Sequence, residues 1–273
     1  MTFPCRRNKN QKGLTMTKIT EEETEENKIP LIEHLRELRR RVVISALAFF
    51  IATILCYLLS GDIYRFLAAP LAESYGVENG RLIYTGLTEA FLTYIRLSIF
   101  AGFVISFPII AWQAYAFIAP GLYKKEKKVI LPFIMAAPVL FIMGSALAYY
   151  FIFPMAWKFF MSFQSAGGEG VMAIQLEARV SEYLSLATSL IIAFGLAFQM
   201  PLVLLLLAYA GFVTSSGMSK KRKYAIIGIF TLAAVITPPD IISQIGLALP
   251  MILLYECSIY GCKLIEKGKI ENA

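Results

Sequence analysis

"RRRVVISALAFFIATILCYLLS", Arg39 to Ser60, sets three arginines against an uncharged and largely apolar run from Val42 onward. A run of about 20 apolar residues matches a hydrocarbon core roughly 30 Å thick. Basic residues before an apolar stretch also suggest an export leader, but no small-residue cleavage site follows here. Five further apolar runs come later, at about 91–118, 129–154, 183–211, 224–237 and 241–260. Val42–Ser60 therefore reads as the first of six transmembrane helices. The predicted fold class is an all-α polytopic membrane protein.

The composition agrees. The 273 residues are 58% hydrophobic and only 16% charged, where soluble domains carry about 25% charged residues. The net charge of +7 then bears on membrane orientation, and nucleic acid is not an expected partner. Residues 1–30 are polar, with the acidic cluster Glu21-Glu22-Glu23-Thr24-Glu25-Glu26, and read as a disordered tail; Met16 is a possible true start. The membrane domain is placed at 31–265, followed by a tail at 266–273.

The basic residues sort by loop. Arg36, Arg39, Arg40 and Arg41 precede span one, and Lys124, Lys125, Lys127 and Lys128 separate spans two and three. Lys220, Lys221, Arg222 and Lys223 precede span five, and Lys263, Lys267 and Lys269 follow span six. The opposite loops hold far fewer, so the positive-inside rule places both termini in the cytoplasm. Spans five and six look short for a bilayer and are expected to thin it. The turn between them, Thr237-Pro238-Pro239-Asp240, cannot continue a helix, and Asp240 is placed to cap span six. In span four, Pro201 should bend the helix near its centre. Gln199 beside it puts an amide at mid-membrane depth, where it needs a partner within the bundle or on another helix.

Catalysis finds little support. His34 is the single histidine and lies at the boundary of span one, where it reads as solvated. There is no Gly-x-Ser-x-Gly sequence, no intramembrane aspartate pair and no nucleotide-binding glycine motif. Cys5, Cys56, Cys257 and Cys262 have no metal-binding or disulfide spacing, so neither metal nor cofactor is expected. Arg96 and Glu256 sit near helix ends, where snorkelling or pairing is the ordinary reading. A transporter would place ionisable groups at mid-depth in repeated halves, and neither is visible. A small-molecule secondary transporter stays as the alternative function, with a structural assembly factor as a third.

Two acidic residues stand out at the basic end. Leu31, Leu35, Leu38 and Val42 form an apolar stripe, and Glu37 lies four residues before Arg41, the spacing of an intrahelical pair. Glu126 is set among four lysines, which a purely topological signal does not require.

Four motifs give these residues a context. "HLRELRRR" before span one, "FIAPGLYKKEKK" after span two, "FGLAFQMP" in span four and "TPPDIISQIGLALPMILLYE" from Thr237 together resemble the TatC family, over about residues 30–265. The resemblance implies a curved, cup-like six-helix bundle in the bacterial cytoplasmic membrane. It implies a receptor for signal peptides bearing consecutive arginines, self-association, and single-span TatA- and TatB-type partners. With them it would move folded proteins using the proton-motive force. By the same resemblance Glu37 and Glu126 are the signal-binding carboxylates, with Phe117 and Arg39 at that site, and Pro70, Pro238, Pro239 and Asp240 in sensitive loops. One departure is clear: the family usually has Glu where this chain has Gln199. A guanidinium can bind a carboxylate through two parallel bonds, but an exposed pair contributes only about 0–1 kcal/mol. Useful affinity would need shielding by an apolar neighbour such as Phe117, with the lysines rejecting badly seated cations.

Overall fold

Helices account for nearly all of the described backbone because the long apolar runs can satisfy their N–H and C=O groups in lipid only internally. The computed structural model describes residues 11–75, 82–118, 127–165, 172, 176–236 and 241–271. The helices are α1 (Gln11–Leu58), α2 (Ser60–Tyr75), α3 (Glu89–Ile118), α4 (Lys127–Leu147) and α5 (Phe153–Met161). They continue with α6 (Val180–Ala197), α7 (Met200–Tyr209), α8 (Ser215–Lys220), α9 (Arg222–Ile236) and α10 (Ile241–Glu271). Five stretches are long and apolar enough to cross a membrane: Ile32–Leu58, Glu89–Phe117, Met135–Met161, Val180–Tyr209 and Ser243–Lys267. The tail read at 1–30 is helical in its backbone from Gln11.

Several boundaries follow from identifiable residues. α4 runs through a π turn at Ala148–Ile152 directly into α5, so this span ends at Met161 and not near 154. Where a bend was expected at Pro201 the helix breaks: α6 stops at Ala197, the residue whose carbonyl loses its donor to the proline, and α7 begins at Met200.

The expectation that both final helices are short needs correction. α9 has 15 residues, about 22 Å at 1.5 Å per residue, whereas α10 has 31. The last apolar run stops near Tyr260, but the helix continues because its polar end is packed. Cys262 is buried, and the Glu266 carboxylate accepts the Ser215 backbone N–H at 2.8 Å and its hydroxyl at 2.5 Å. About three turns earlier in α10, the Tyr255 hydroxyl donates to the Met218 carbonyl at 3.0 Å.

α2 was not foreseen. It contains Pro70, which has no N–H for the Phe66 carbonyl four residues earlier. The Tyr149 hydroxyl donates to that carbonyl instead, at 2.7 Å, and Tyr183 donates to the next one, Leu67, at 2.5 Å. The Phe66 ring stacks on Tyr149 with centroids 4.5 Å apart. A buried proline thus opens a helix to two tyrosines, one within the π turn and one on α6, and docks α2 against both.

The remaining bundle closes around buried Phe141, Phe153, Phe194, Leu97 and Leu190. Close backbone approach makes this possible: a Cβ on Gly144 of α4 would sit 2.4 Å from the Phe194 carbonyl oxygen on α6. α1 differs from the others. Only 11% of its most apolar window is buried, against 39–44% in the other four spans, and it rests almost wholly on α3. The closest point is Gly102, where an added Cβ would meet Thr53 Oγ1 at 2.3 Å and its Cα at 2.7 Å.

At the far end of α3 a clasp joins two loops. Ile83 donates to the Ala178 carbonyl at 3.1 Å and accepts from Val180 at 2.9 Å, as an isolated parallel bridge with Arg179. The Glu89 carboxylate accepts the N–H groups of Thr85 and Gly86 at 2.8 and 3.1 Å and the Ser181 hydroxyl at 2.5 Å.

Candidate functional site

The arginine-rich end of α1 lies against the C-terminal end of α3. Arg41 donates from Nε and Nη2 to Glu37 Oε1 at 3.0 and 2.5 Å, and from Nη1 to Gln113 Oε1 on α3 at 3.3 Å. The intrahelical pair expected from the spacing is therefore present, and it is also a tie between helices. Both bonds to Glu37 use Oε1; Oε2 accepts from no described residue. The two side chains are 23% and 35% exposed, so the pair is partly screened by protein and reachable from outside.

One turn toward the N-terminus, His34 stacks on Phe117 with ring centroids 4.3 Å apart and an angle of 19° between planes. His34 is exposed but not merely solvated, as its position in the sequence suggested. Its ring covers one side of Phe117. Below these residues a groove of about 520 Å³ separates the two helices. Leu38, Val42 and Phe49 line it from α1, and Phe103, Ile110 and Phe117 from α3. Apart from Arg41, Ser45 and Gln113 its lining is apolar. The amphipathic stripe of α1 supplies one wall, so Leu38 and Val42 belong to the groove itself.

Glu37, Phe117 and Arg41 are thus brought together, while Arg39 is exposed on the same helix. Glu126, Pro238, Pro239 and Asp240 lie outside the described residues. Pro70 is in α2, at the tyrosine contacts above. Gln199 sits in the α6–α7 break, where Nε2 donates to the Ala137 carbonyl of α4 at 2.9 Å. Its Oε1 is enclosed and has no hydrogen-bond partner among the described residues. Glu256 falls in the middle of α10 and not near a helix end as expected, and it pairs with Arg222 at 2.8 Å. Gln113 and His34 were not picked out as site residues in the sequence; only their helical register toward Arg41 and Phe117 carried a signal.

The site is thus a charged mouth on an apolar groove, inside a multi-span helical membrane protein. The family model "Sec-independent protein translocase protein (TatC)" matches residues 33–250. A Sec-independent protein translocase protein TatC of Magnetococcus marinus is 49% identical, over 90% of this chain and 89% of its own length. The TatC of Escherichia coli K12 is 34% identical, over 88% and 91%. A crystal structure of the twin arginine translocase receptor TatC superposes with a TM-score of 0.73 at 37% identity, covering 85% of this chain and 99% of that one. The chain belongs to the TatC family, and so is a component of the Sec-independent protein translocase.

Proposed function

We propose that the Glu37–Phe117 end of this groove is the cytoplasmic receptor site for a twin-arginine signal peptide. The observation that carries the reading is a carboxylate at the mouth of an apolar groove, one oxygen of which accepts from no described residue. One signal arginine binds Glu37 through Oε2, competing with Arg41 for the rest of the carboxylate. Glu126 takes the second, and the signal's apolar segment lies along Leu38, Val42, Phe49 and Phe103. Phe117, with His34 on its face, excludes water from the first contact, which raises the bond above the exposed-pair range. Arg39 and the neighbouring lysines repel cations that are not seated on a carboxylate.

In this reading both termini are cytoplasmic and α9 is a sixth, short span in the bacterial cytoplasmic membrane. TatA- and TatB-type single-span proteins and further copies of the chain complete the machine, which moves folded proteins using the proton-motive force. The basic residues at Arg36–Arg41, Lys220–Lys223 and Lys263–Lys269 support the orientation through the positive-inside rule. The test is photo-crosslinking from position 117 to synthetic signal peptides. A peptide with Arg-Arg is expected to crosslink and its Lys-Lys counterpart is not; equal crosslinking of the two would remove the receptor reading. Solute uptake by the protein reconstituted alone would favour a transporter.

Gln199 has a divided role in the same scheme. Its amide nitrogen holds the helix break against α4, and Oε1 is the acceptor left for a partner's helix. Because Oε1 is enclosed, a partner reaches it only after neighbouring side chains shift, which keeps the effect modest. Intramembrane side-chain bonds contribute about 0.6–2 kcal/mol. Gln199→Leu is therefore expected to lower co-purification of a TatB-type partner several-fold while signal crosslinking stays at the wild-type level. Gln199→Glu, protonated, keeps both donor and acceptor and is expected to retain transport. Undiminished partner recovery with Gln199→Leu would confine Gln199 to its bond with Ala137.

A further inference from the structure

The other end of α3 carries a cation that the receptor scheme does not use. Arg96 lies seven residues into α3 from Glu89, about 10 Å along the helix. It is exposed, and among the described residues it makes no hydrogen bond or ion pair. A lone guanidinium inside a membrane span is costly and draws a counter-charge. Arg96 forms one wall of a small cleft of about 60 Å³ between α3 and α6, shared with Thr93, Ser181, Ser185 and Thr188.

The hydroxyls there are not equivalent. Thr93 donates to the Glu89 carbonyl, Thr188 to the Leu184 carbonyl and Ser181 to the Glu89 carboxylate. These three can still accept, whereas the Ser185 hydroxyl donates to no described residue and keeps its proton for a ligand. The nearby Glu89 carboxylate opposes an anion, but Thr85, Gly86 and Ser181 already donate to it.

A second feature follows along the same helices. One turn beyond Leu97 begins an apolar groove of about 290 Å³, lined by Phe100, Ala101, Val104 and Ile105 of α3, Ile142 of α4 and Ile191 of α6, among others. Ala101 and Val104 continue the stripe that Thr93 and Leu97 start, at i, i+4, i+8 and i+11. A cationic, hydroxyl-bearing cleft is thus followed, deeper in the span, by an apolar trough.

We propose that the two cavities together hold one phospholipid from the leaflet at the Glu89 end of α3. Arg96 and Ser185 bind its phosphodiester, and part of an acyl chain lies between Val104, Ile105 and Ile191. A guanidinium suits this phosphate because it offers two parallel donors to two oxygens. The apolar trough is what separates a lipid from free phosphate, which has no use for it. The bound lipid neutralises Arg96 and seals the α3–α6 seam beside the Glu89 clasp.

The test is native mass spectrometry of the full-length protein in detergent, titrated with dioleoylphosphatidylglycerol, with dioleoylglycerol and inorganic phosphate as separate arms. Arg96→Gln is expected to weaken phosphatidylglycerol binding on the order of tenfold and to leave dioleoylglycerol unaffected. Arg96→Lys should fall between, since an ammonium is a point charge. Ser185→Ala should weaken the phospholipid alone, and Ile105→Trp, which fills the trough, should weaken both lipids. Thermal unfolding of each variant guards against misfolding, and Ser185→Ala and Ile105→Trp test the site without touching the arginine. Wild-type phosphatidylglycerol binding by Arg96→Gln and Ser185→Ala would overturn the proposal. So would full displacement of the lipid by millimolar inorganic phosphate, which would mark an anion cleft without a chain site.

Discussion

Glu37→Ala combined with Glu126→Ala is expected to abolish measurable binding of a twin-arginine signal peptide, and either change alone to weaken it by about ten- to a hundredfold. Charge-assisted hydrogen bonds contribute about 1.5–3 kcal/mol, and every 1.4 kcal/mol is a factor of ten. The 35% exposure of the Glu37 side chain places its loss toward the lower end of that range. Glu37→Ala also releases Arg41, which adds an uncompensated cation at the mouth of the groove and works against the incoming arginines. Glu33, exposed on the same helix, supplies the control: Glu33→Ala should bind as wild type. Titration of a fluorescent signal peptide into protein held in nanodiscs gives the affinities directly. Undiminished affinity in the double variant would dissolve the site.

Gly102→Ala is expected to be the most damaging single-methyl change on α3. The added carbon meets Thr53 Oγ1, Cα and backbone nitrogen at 2.3, 2.7 and 2.8 Å, and a backbone cannot rotate aside as a side-chain tip can. Helix association in a membrane rests on such close packing, and overpacking costs about 1–3 kcal/mol. Because α1 has little other support, the two helices should separate. The Arg41–Gln113 bond and the His34–Phe117 stack would go with them, so thermal stability and signal affinity should fall together. Gly228 on α9 has nothing within 4 Å of its Cβ position. Gly228→Ala should be neutral, or slightly stabilising from the better helix propensity. Equal unfolding temperatures for Gly102→Ala and Gly228→Ala would show that α1 does not depend on this contact.

Much of this architecture could be read from spacing and composition, because a bilayer imposes a minimum apolar length and Pro201 carries its own stereochemistry. What could not be read depended on contacts distant in sequence. α2 lacks a membrane-length apolar run, and its Pro70 argues against a helix until Tyr149 and Tyr183 meet the opened carbonyls. α10 outlasts its apolar run because Glu266 meets Ser215, fifty-one positions away. The same holds for the candidate site. Glu37 and Arg41 are neighbours on one helix and could be paired from the sequence, whereas Gln113 lies 72 positions from Arg41. The stacking of His34 on Phe117 also depends on how α1 is laid along α3, which no local pattern encodes.

The attachment of α1 to α3 has a consequence for how the molecule is made. Glu37, Arg41, Gln113 and Phe117 all belong to the N-terminal part of the chain, and α1 makes few contacts with what comes later. Synthesis runs from the N-terminus at about 5–20 residues per second. Once α3 has left the ribosome and entered the membrane, the groove can close on itself. The C-terminal helices α6 to α10 then build against the opposite side of α3 and α4, without waiting on or disturbing α1. Formation of the α1–α3 groove and completion of the bundle are thereby separable events in biogenesis, ordered by the direction of translation.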